Sequence, residues 1–498
     1  KAPMMHEATT SESSDGKIYS GNTGANFDKS GNGYGWYLGY NKKVQAFFDP
    51  VYGEMYGTIY RQLNPVTGNG TIGGMIGEDE GGPDYPIFNN FAQTIYSNSI
   101  YQSVGTDPGG QYPYASDFIN GYFFGIFNDV DTNIVSTSQP MFTVADATWG
   151  YIFSIWSEPK RIKYMYTNAV IPDAWMGTGD VVYDPSTLYY YWSQAWKEGQ
   201  HSMDETILSC VVGRTMTPAD ETSWEWTDYK GLRFDANYSP VKASELEEIG
   251  DFYFSYAKDN YGNGTGKGVG VALTRNFDQN NPRLSYIYTN DWGGSFDIDS
   301  IGCGPNWTTD SGNMFQIPLN TMFDWYGETL TFNDSIGFDL ATQQVIYDSA
   351  TVIMDDPFIA WNISVIATAY DQVHVLIKAF PGSTEYPGVI FPWTDNGFRA
   401  GYYMVNGTIS GTGVTWEPAT LVANFVDNDK GWTTAEDYTG MEWRYSNRNT
   451  LSLCNLGFGQ LLASWLDKPS ERAVQFGYEN ANNKYCDDGY LIFSSDDG

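Results

Sequence analysis

Short aromatic runs, each bounded by Gly, Asn, Asp or Pro, recur along the whole chain and constrain its fold more than any other feature. They occupy residues 45–48, 54–61, 121–127, 151–156, 181–192, 252–256, 269–274, 285–289, 363–370, 372–379, 401–405 and 490–494. Such runs are typical of short strands connected by turns. Only residues 243–249 have a helix-like pattern, so the sequence predicts an all-β chain.

Composition supports the same fold class. The chain has 38 Tyr, 28 Phe, 17 Trp and 54 Gly, whereas only 17% of its residues are charged. Aromatic residues favour strands and Gly favours turns, while helical proteins depend more on Ala, Leu, Glu and Lys. A chain of 498 residues is also long enough to bury a large core.

No change in composition divides the chain, so a repeated unit is the first architecture to consider. Asp49-Pro50 and Asp184-Pro185 each end a strand-like run and precede another, and they are 135 positions apart. Asp accepts backbone amides in a turn and Pro fixes the first φ, so each pair predicts a strand-ending turn. Asp356-Pro357 is a less clear third example. The spacing corresponds to two units of about 68 residues.

The most specific motif follows the run that ends at residue 289. Its five defining positions are Thr289, Asp291, Gly293, Ser295 and Phe296. The last residues of the sequence repeat its first half, with Ser494, Asp496 and Gly498 in matching positions. Physically, the motif stabilises a hairpin turn. Asp caps turn amides and Gly supplies an unusual φ, while a hydroxyl hydrogen-bonds the turn to the strand and the aromatic packs between sheets.

This motif resembles the Asp-box, or BNR repeat, and the chain as a whole resembles secreted Asp-box surface proteins of Bacteroidota and related bacteria. The resemblance implies a single β-propeller of four-stranded blades spanning residues 41–498. Seven blades are preferred, and six or eight remain possible, because propellers typically carry four to eight. Residues 1–40 are expected to form a loose terminal segment whose residues 34–40 supply a closing strand. A secreted or cell-surface location follows from the same resemblance.

The net charge of −34 argues against nucleic acid and anionic membranes as partners, because like charges repel. No apolar run is long enough for a transmembrane helix, so membrane insertion is not expected.

No cofactor is required. Calcium is possible at Asp427 and Asp429 or at Asp129 and Asp131, where oxygen donors alternate along the sequence.

Four cysteines allow three pairings, and the sequence alone does not choose among them. Cys454 and Cys486 fall in the predicted last blade, so we expect them to pair, leaving Cys210 with Cys303.

Ser300, Ser335 and Ser349 each lie in an Asp-Ser-aliphatic triplet. These triplets resemble the O-glycosylation motif of secreted Bacteroidota proteins.

Two functions remain open at this stage. The first is a structural or adhesive surface protein that binds other surface proteins, copies of itself or glycans. It is preferred because no clear catalytic motif is present. The alternative is a glycan-active enzyme, sialidase-like or another glycoside hydrolase, or a lectin, since Asp-box relatives include sialidases. Arg61, Arg214, Arg275 and Arg399 are candidate arginines for such a site, but the motif assigns none of them a role.

Overall fold

The computed structural model describes about three fifths of the chain. The described residues are 44–49, 53–63, 70–79, 88–96, 114–130, 138–150, 154–157, 160–161, 174–198, 207–227, 247–276, 281–296, 307–308, 314–334, 336–339, 342, 344–424, 451–457, 460–467 and 488–494. No helix in this part of the chain is long and apolar enough to cross a membrane.

Three antiparallel sheets of the same topology form the first half of the described chain. The first contains β1 (Val44–Asp49), β2 (Gly53–Leu63), β3 (Gly70–Asp79) and β4 (Phe88–Tyr96). The second contains β5 (Tyr114–Ile119), β6 (Tyr122–Val130), β7 (Ser138–Asp146) and β8 (Ile155–Trp156), with β9 (Lys160–Arg161) also paired to β7. The third contains β10 (Ala174–Asp184), β11 (Tyr189–Glu198), β12 (Ile207–Thr215) and β13 (Glu225–Trp226).

Three further sheets continue the pattern. The fourth contains β14 (Glu247–Lys258), β15 (Gly264–Asn276), β16 (Asn281–Thr289) and β17 (Phe315–Gln316). The fifth contains β22 (Phe358–Ala367), β23 (Gln372–Phe380), β28 (Gly401–Ser410) and β29 (Gly413–Trp416), with β30 (Thr420–Asn424) also paired to β28. The sixth contains β31 (Ser452–Gly457), β32 (Gln460–Asp467) and β33 (Asp488–Ser494).

Small sheets surround the fifth sheet at the end where its first strand begins. They consist of β18 (Thr329–Thr331) with β21 (Thr351–Ile353); β20 (Gln344–Ile346), β19 (Gly337–Asp339), β25 (Tyr386–Ile390) and β24 (Gly382–Ser383); and β26 (Trp393–Thr394) with β27 (Gly397–Phe398). A 3₁₀ turn at Leu319–Thr321 precedes them. The predicted Asp356-Pro357 turn also lies at this end of the fifth sheet. It comes before the first strand β22, whereas Asp49-Pro50 and Asp184-Pro185 come at the ends of first strands.

The first strands of the six sheets are neighbours in chain order. β1 contacts β5, β5 contacts β10, β10 contacts β14, β14 contacts β22, and β22 contacts β31. Side chains between these sheets form the core, whose largest buried members include Trp192, Phe124 and Phe142. This is an all-β fold of antiparallel sheets, and sequential packing of first strands is consistent with a propeller-like arrangement.

The strand predictions are largely confirmed, and the helix prediction is wrong over residues 247–249, while residues 243–246 lie outside the described residues. Runs such as 252–256, 372–379 and 490–494 lie within β14, β23 and β33. Residues 247–249 belong to β14 instead of a helix, because they pair in register with residues 274–276 of β15. This cross-strand pairing overrides the local helical preference of a short Glu-rich segment.

The Asp184-Pro185 prediction is confirmed in detail. Asp184 ends β10, and its carboxylate accepts the amide and hydroxyl of Ser186 at 2.9 and 2.6 Å and the hydroxyl of Thr187 at 2.6 Å. Burial alone would raise the pKa of Asp184, but these hydrogen bonds outweigh it and hold that pKa below its ordinary value. Asp49 ends β1, so the two pairs occupy the same position in the first and third sheets.

Candidate functional site

Each sheet has two ends that differ in structure. We call the end where the first strand finishes the lower end, and the end where it begins the upper end. Because strands alternate in direction, third strands also finish at the lower end. The Asp-box-like residues follow β16, the third strand of the fourth sheet, and therefore lie at the lower end.

The hairpin after β16 is locked chiefly by Thr289. Its hydroxyl accepts the amides of Asp291 and Gly293 at 3.1 and 2.9 Å. Gly293 has a φ of +74°, and a Cβ there would lie 2.5 Å from Nε1 of Trp307, so the position requires Gly. Phe296 packs on the third sheet, where the guanidinium of Arg214 lies 4.4 Å from its ring centre. These contacts give the motif a structural role.

A similar side-chain cap, which accepts a turn amide, is present where other third strands end. Asp146 and Ser410 accept the amide two positions further on, from Thr148 at 3.0 Å and from Thr412 at 3.3 Å. Thr215 accepts the amide of Thr217 in the same way at 3.0 Å. Ser494 ends β33 at the equivalent position of the sixth sheet, whereas Asp496 and Gly498 lie outside the described residues. A side-chain acceptor therefore terminates successive third strands.

We expect Thr289→Val to lower the free energy of unfolding by about 1–3 kcal/mol, because two turn amides lose their acceptor while the side chain keeps its shape. The measurement is urea unfolding followed by tryptophan fluorescence. Thr420→Val is the matched control, since Thr420 is exposed on β30. Equal midpoints for both variants would show that the hydroxyl of Thr289 does not hold the turn.

Hydrogen bonds join the first strands of neighbouring sheets at the centre of the fold. The carboxylate of Asp180 on β10 accepts the amide of Tyr256 on β14 at 2.7 Å. Ser255 on β14 accepts the amide of Ala367 on β22 at 2.8 Å. Ser364 on β22 then accepts the amide of Leu453 on β31 at 2.9 Å. One buried side chain in each strand therefore holds the next strand in sequence.

A buried cation adds a further link among three of these strands. The ammonium of Lys258, at the end of β14, donates to Asp117 on β5 and to Asp180 on β10, the latter at 2.8 Å. It also donates to the carbonyl of Val181 at 2.6 Å. The side chains of Lys258, Asp117 and Asp180 are only 12%, 13% and 0% exposed. Asp180 is therefore not accessible to a substrate, and we assign this cluster a structural role.

The lower end is closed near this cluster. Gly262, in the turn after β14, packs so tightly on Ile119 of the second sheet that a Cβ would lie 2.7 Å from it. The carbonyl of Gly262 also accepts the amide of Tyr183 in the third sheet at 2.8 Å. Turns from three sheets thus meet here and pack directly on one another.

The upper end of the fifth sheet contains a small, open pocket with a cavity volume of about 10 Å³, enough for about one water molecule. Its lining combines the polar residues Asp356, Ser383 and Tyr386 with Pro357, Phe358, Gly388 and Val389. Burial, followed by the nearby Asp348 and Glu385 carboxylates, raises the pKa of Tyr386, so its phenol stays a neutral donor at neutral pH. The pocket therefore offers a carboxylate, a hydroxyl and a phenol beside apolar surface.

A half-buried ion pair lies at the same end. Arg399, just before β28, donates to Glu328 at 3.3 Å, and their side chains are 24% and 16% exposed. Glu328 also accepts the hydroxyl of Thr394, and Tyr403 donates its hydroxyl to the carbonyl of Arg399 at 2.6 Å. Nε of Arg399 is buried without a hydrogen-bond partner.

The structure separates the arginines considered from sequence. Arg214 lies next to the lower end of the third sheet, where it pairs with Glu225 at 2.8 Å, whereas Arg399 lies at the upper end of the fifth. These two cannot share one site. Arg61 and Arg275 lie in β2 and β15. Lys258 and Glu328 were missed, because nothing in the local sequence distinguishes a buried lysine or glutamate from the many solvated ones.

The remaining predicted sites are only partly within the described residues. Cys210 is fully buried in the core and Cys454 lies on β31, and no disulfide joins the described residues; the predicted partners, Cys303 and Cys486, lie outside them. The two disulfides therefore stay predictions. Desolvation by the surrounding protein, followed by the nearby Asp117 carboxylate, raises the pKa of the Cys454 thiol.

The calcium and glycosylation predictions are likewise untested. Asp129 lies in β6, paired with Gln139, while Asp131, Asp427 and Asp429 fall outside the described residues. The described residues contain no group of three or more potential metal ligands. Ser349 is exposed and donates its hydroxyl to the carbonyl of Asn333, whereas Ser300 and Ser335 are outside the described residues.

No protein-family model matches the chain, and no curated protein matches it. Among solved structures, it is similar to a putative glycoside hydrolase from Parabacteroides distasonis, with 11% identity, a TM-score of 0.30, and coverage of 72% of this chain and 83% of the other. It is also similar to an endo-arabinase from Bacteroides thetaiotaomicron, with 11% identity, a TM-score of 0.28, and coverage of 72% of this chain and 96% of the other. For the Hadza microbial sialidase Hz136, the identity is 11%, the TM-score is 0.29, and the coverage is 72% of this chain and 63% of the other. Scores this low carry no argument about function.

Proposed function

We propose that the chain is a secreted β-propeller protein that binds carbohydrate at its upper end. The observation that carries this proposal is the contrast between the two ends. At the lower end, turns of the second, third and fourth sheets pack directly on one another beside a buried ion cluster, whereas the upper end of the fifth sheet has long connections and an open pocket. Loops at one end of a rigid scaffold are where binding sites usually form.

The pocket has the chemistry that a sugar requires. The carboxylate of Asp356 can accept hydroxyl groups, the phenol of Tyr386 can donate or accept, and Phe358 and Val389 provide apolar surface. Its cavity of about 10 Å³ has room for about one water molecule, far below the roughly 300–1,000 Å³ of pockets that enclose drug-sized ligands. We therefore assign it to contact with one edge of a sugar residue in a larger glycan, and not to enclosure of the whole sugar. Neutral glycans are favoured, because a chain with a net charge of −34 repels polyanions.

Affinity electrophoresis through gels containing neutral polysaccharides (arabinan, galactan, mannan) or acidic alginate tests the proposal. We expect a neutral polysaccharide to retard the protein. Tyr386→Phe and Asp356→Asn should each weaken binding about tenfold, since the first removes a hydrogen bond to the ligand and the second replaces a charged acceptor by a weaker neutral one. Tyr347→Phe is the matched control, because Tyr347 is 75% exposed and outside the pocket.

The proposal fails if no neutral polysaccharide retards the protein, or if Tyr386→Phe and Tyr347→Phe bind equally well. Reducing-end release from the same polysaccharides separates an enzyme from a lectin. A catalytic role would require two carboxylates that converge on the bound sugar.

A structural or adhesive role is the second candidate, and a specific observation favours it. Leu188, Tyr261 and Tyr370 lie in the lower-end turns of the third, fourth and fifth sheets and are 52%, 45% and 65% exposed. Exposed apolar side chains that line one end of a fold suit contact with another protein. Sedimentation of the purified chain over a range of concentrations would detect association with copies of itself.

A further inference from the structure

Asn-Gly pairs are chemically labile positions in a protein chain. Asparagine is thermally labile, and a following Gly has no side chain to shield its backbone nitrogen. Within the described residues, such pairs begin at Asn120, Asn263, Asn396 and Asn406. The dipeptide is the same at each position, so large differences in reactivity among them have to come from the fold.

Three of these side-chain amides are held by hydrogen bonds. The partners of Asn120, Asn263 and Asn406 are Tyr190 at 3.0 Å, Asp259 at 2.9 Å and His374 at 2.9 Å, in that order. All three asparagines are also partly buried. Each of these amides therefore has to break a hydrogen bond before its side chain can change conformation.

Asn396 differs from the other three. It is exposed, and within the described part of the chain only its backbone amide is hydrogen-bonded, to the hydroxyl of Thr394 at 3.2 Å. It lies in the turn between β26 and β27, a two-stranded sheet with two residues in each strand. Hairpins of this size are marginally stable, so the turn opens readily. Asn396 thus combines a mobile side-chain amide with a turn that can rearrange.

We propose that Asn396 is a deamidation site of the folded protein. The backbone nitrogen of Gly397 attacks Cγ of Asn396, the bond between Cγ and Nδ2 breaks, and ammonia leaves with the proton given up by the Gly397 nitrogen. The product is a cyclic succinimide. One water molecule then opens either carbonyl of this ring, which gives Asp or isoaspartate at position 396.

The modification would change the charge and the pairing at the upper end of the fifth sheet. Asp395, the other residue of the turn, accepts the amide of Thr331 at 2.9 Å and so joins the hairpin to β18. Nη1 of Arg399 lies 4.0 Å from the position of a Cβ on Gly397. A new carboxylate at position 396 therefore lies in a turn with a carboxylate and a guanidinium as neighbours. Isoaspartate also adds a methylene to the backbone of this turn.

Incubation in water enriched in heavy oxygen, followed by peptide mass spectrometry, tests the proposal. Heavy oxygen enters only the residues that react during the incubation. Dividing the rate at each Asn-Gly pair in the folded chain by its rate in urea isolates the effect of the fold. We expect this ratio to be at least about tenfold higher for Asn396 than for Asn120, Asn263 and Asn406. A ratio for Asn396 no higher than the other three would overturn the proposal.

Two variants test the chemistry and its cause. Asn396→Gln keeps the amide, but its longer side chain would have to form a larger and less favoured ring, so heavy oxygen should no longer enter position 396. Continued uptake there would overturn the proposal. Asp259→Ala removes the acceptor that holds Asn263, so the ratio for Asn263 should rise about threefold or more while that for Asn396 stays the same. An unchanged ratio for Asn263 would overturn the role assigned to the hydrogen bonds.

Discussion

Replacing Lys258 with Met is expected to lower the free energy of unfolding by about 3–5 kcal/mol, because it leaves a buried carboxylate without its counter-charge. The side chain of Asp180 is 0% exposed, and one oxygen bonds Lys258 while the other holds the amide of Tyr256. Met preserves most of the aliphatic length, so lost charge, and not lost volume, dominates the effect. Urea unfolding at neutral pH measures it.

Two further variants isolate the cause of this loss. Lys267→Met breaks an ion pair with Asp371 whose side chains are 28% and 29% exposed, and such partly solvated pairs contribute about 0–1 kcal/mol. Lys258→Met combined with Asp180→Asn should recover part of the stability, because the buried charge is removed with its partner. Equal losses of unfolding free energy for Lys258→Met and Lys267→Met would show that the buried cluster stabilises the fold no more than a partly solvated ion pair does.

Much of the fold could be predicted from local sequence, for a physical reason. Strand alternation and turn chemistry act over a few residues, so the runs at 252–256 and 372–379, and the turn at Asp184, were each correctly placed. Repetition was visible only in part, because Asp-Pro ends the first strands β1 and β10, whereas β5, β14 and β22 end in turns of other sequences. Sheet pairing is not local, and it explains the failure at residues 247–249, where β15 imposes a strand.

The candidate site was much less predictable. The pocket joins Asp356 and Phe358 to Ser383 and Tyr386, which come from separate small strands inserted into the fifth sheet. No spacing rule links such positions, because their proximity depends on how the insertion folds back. The Asp-box-like motif was visible for the opposite reason: its residues act on one another within a single turn.

Trp192→Ala is expected to cost about 3–5 kcal/mol, the usual range for removing a large aromatic from a packed core. Trp192 is 0% exposed and joins the second and third sheets. Its ring makes edge contacts with Phe124 at 5.6 Å, Phe142 at 5.5 Å and Trp224 at 5.5 Å between centroids. Because these partners come from two sheets, a cavity here loosens the contact between sheets as well as within one. Thermal and urea unfolding both report the loss.

Two further variants test whether the burial of Trp192 causes its large effect on stability. Trp149→Ala makes the same substitution at a residue that is 74% exposed, and it should change stability by less than about 0.5 kcal/mol. Trp192→Phe should cost less than Trp192→Ala, because it keeps most of the ring and also removes an indole N–H that is buried without a hydrogen-bond partner. If Trp192→Phe were as damaging as Trp192→Ala, the indole itself would be required, and a partner for its N–H, such as a buried water, would have to be sought between the second and third sheets.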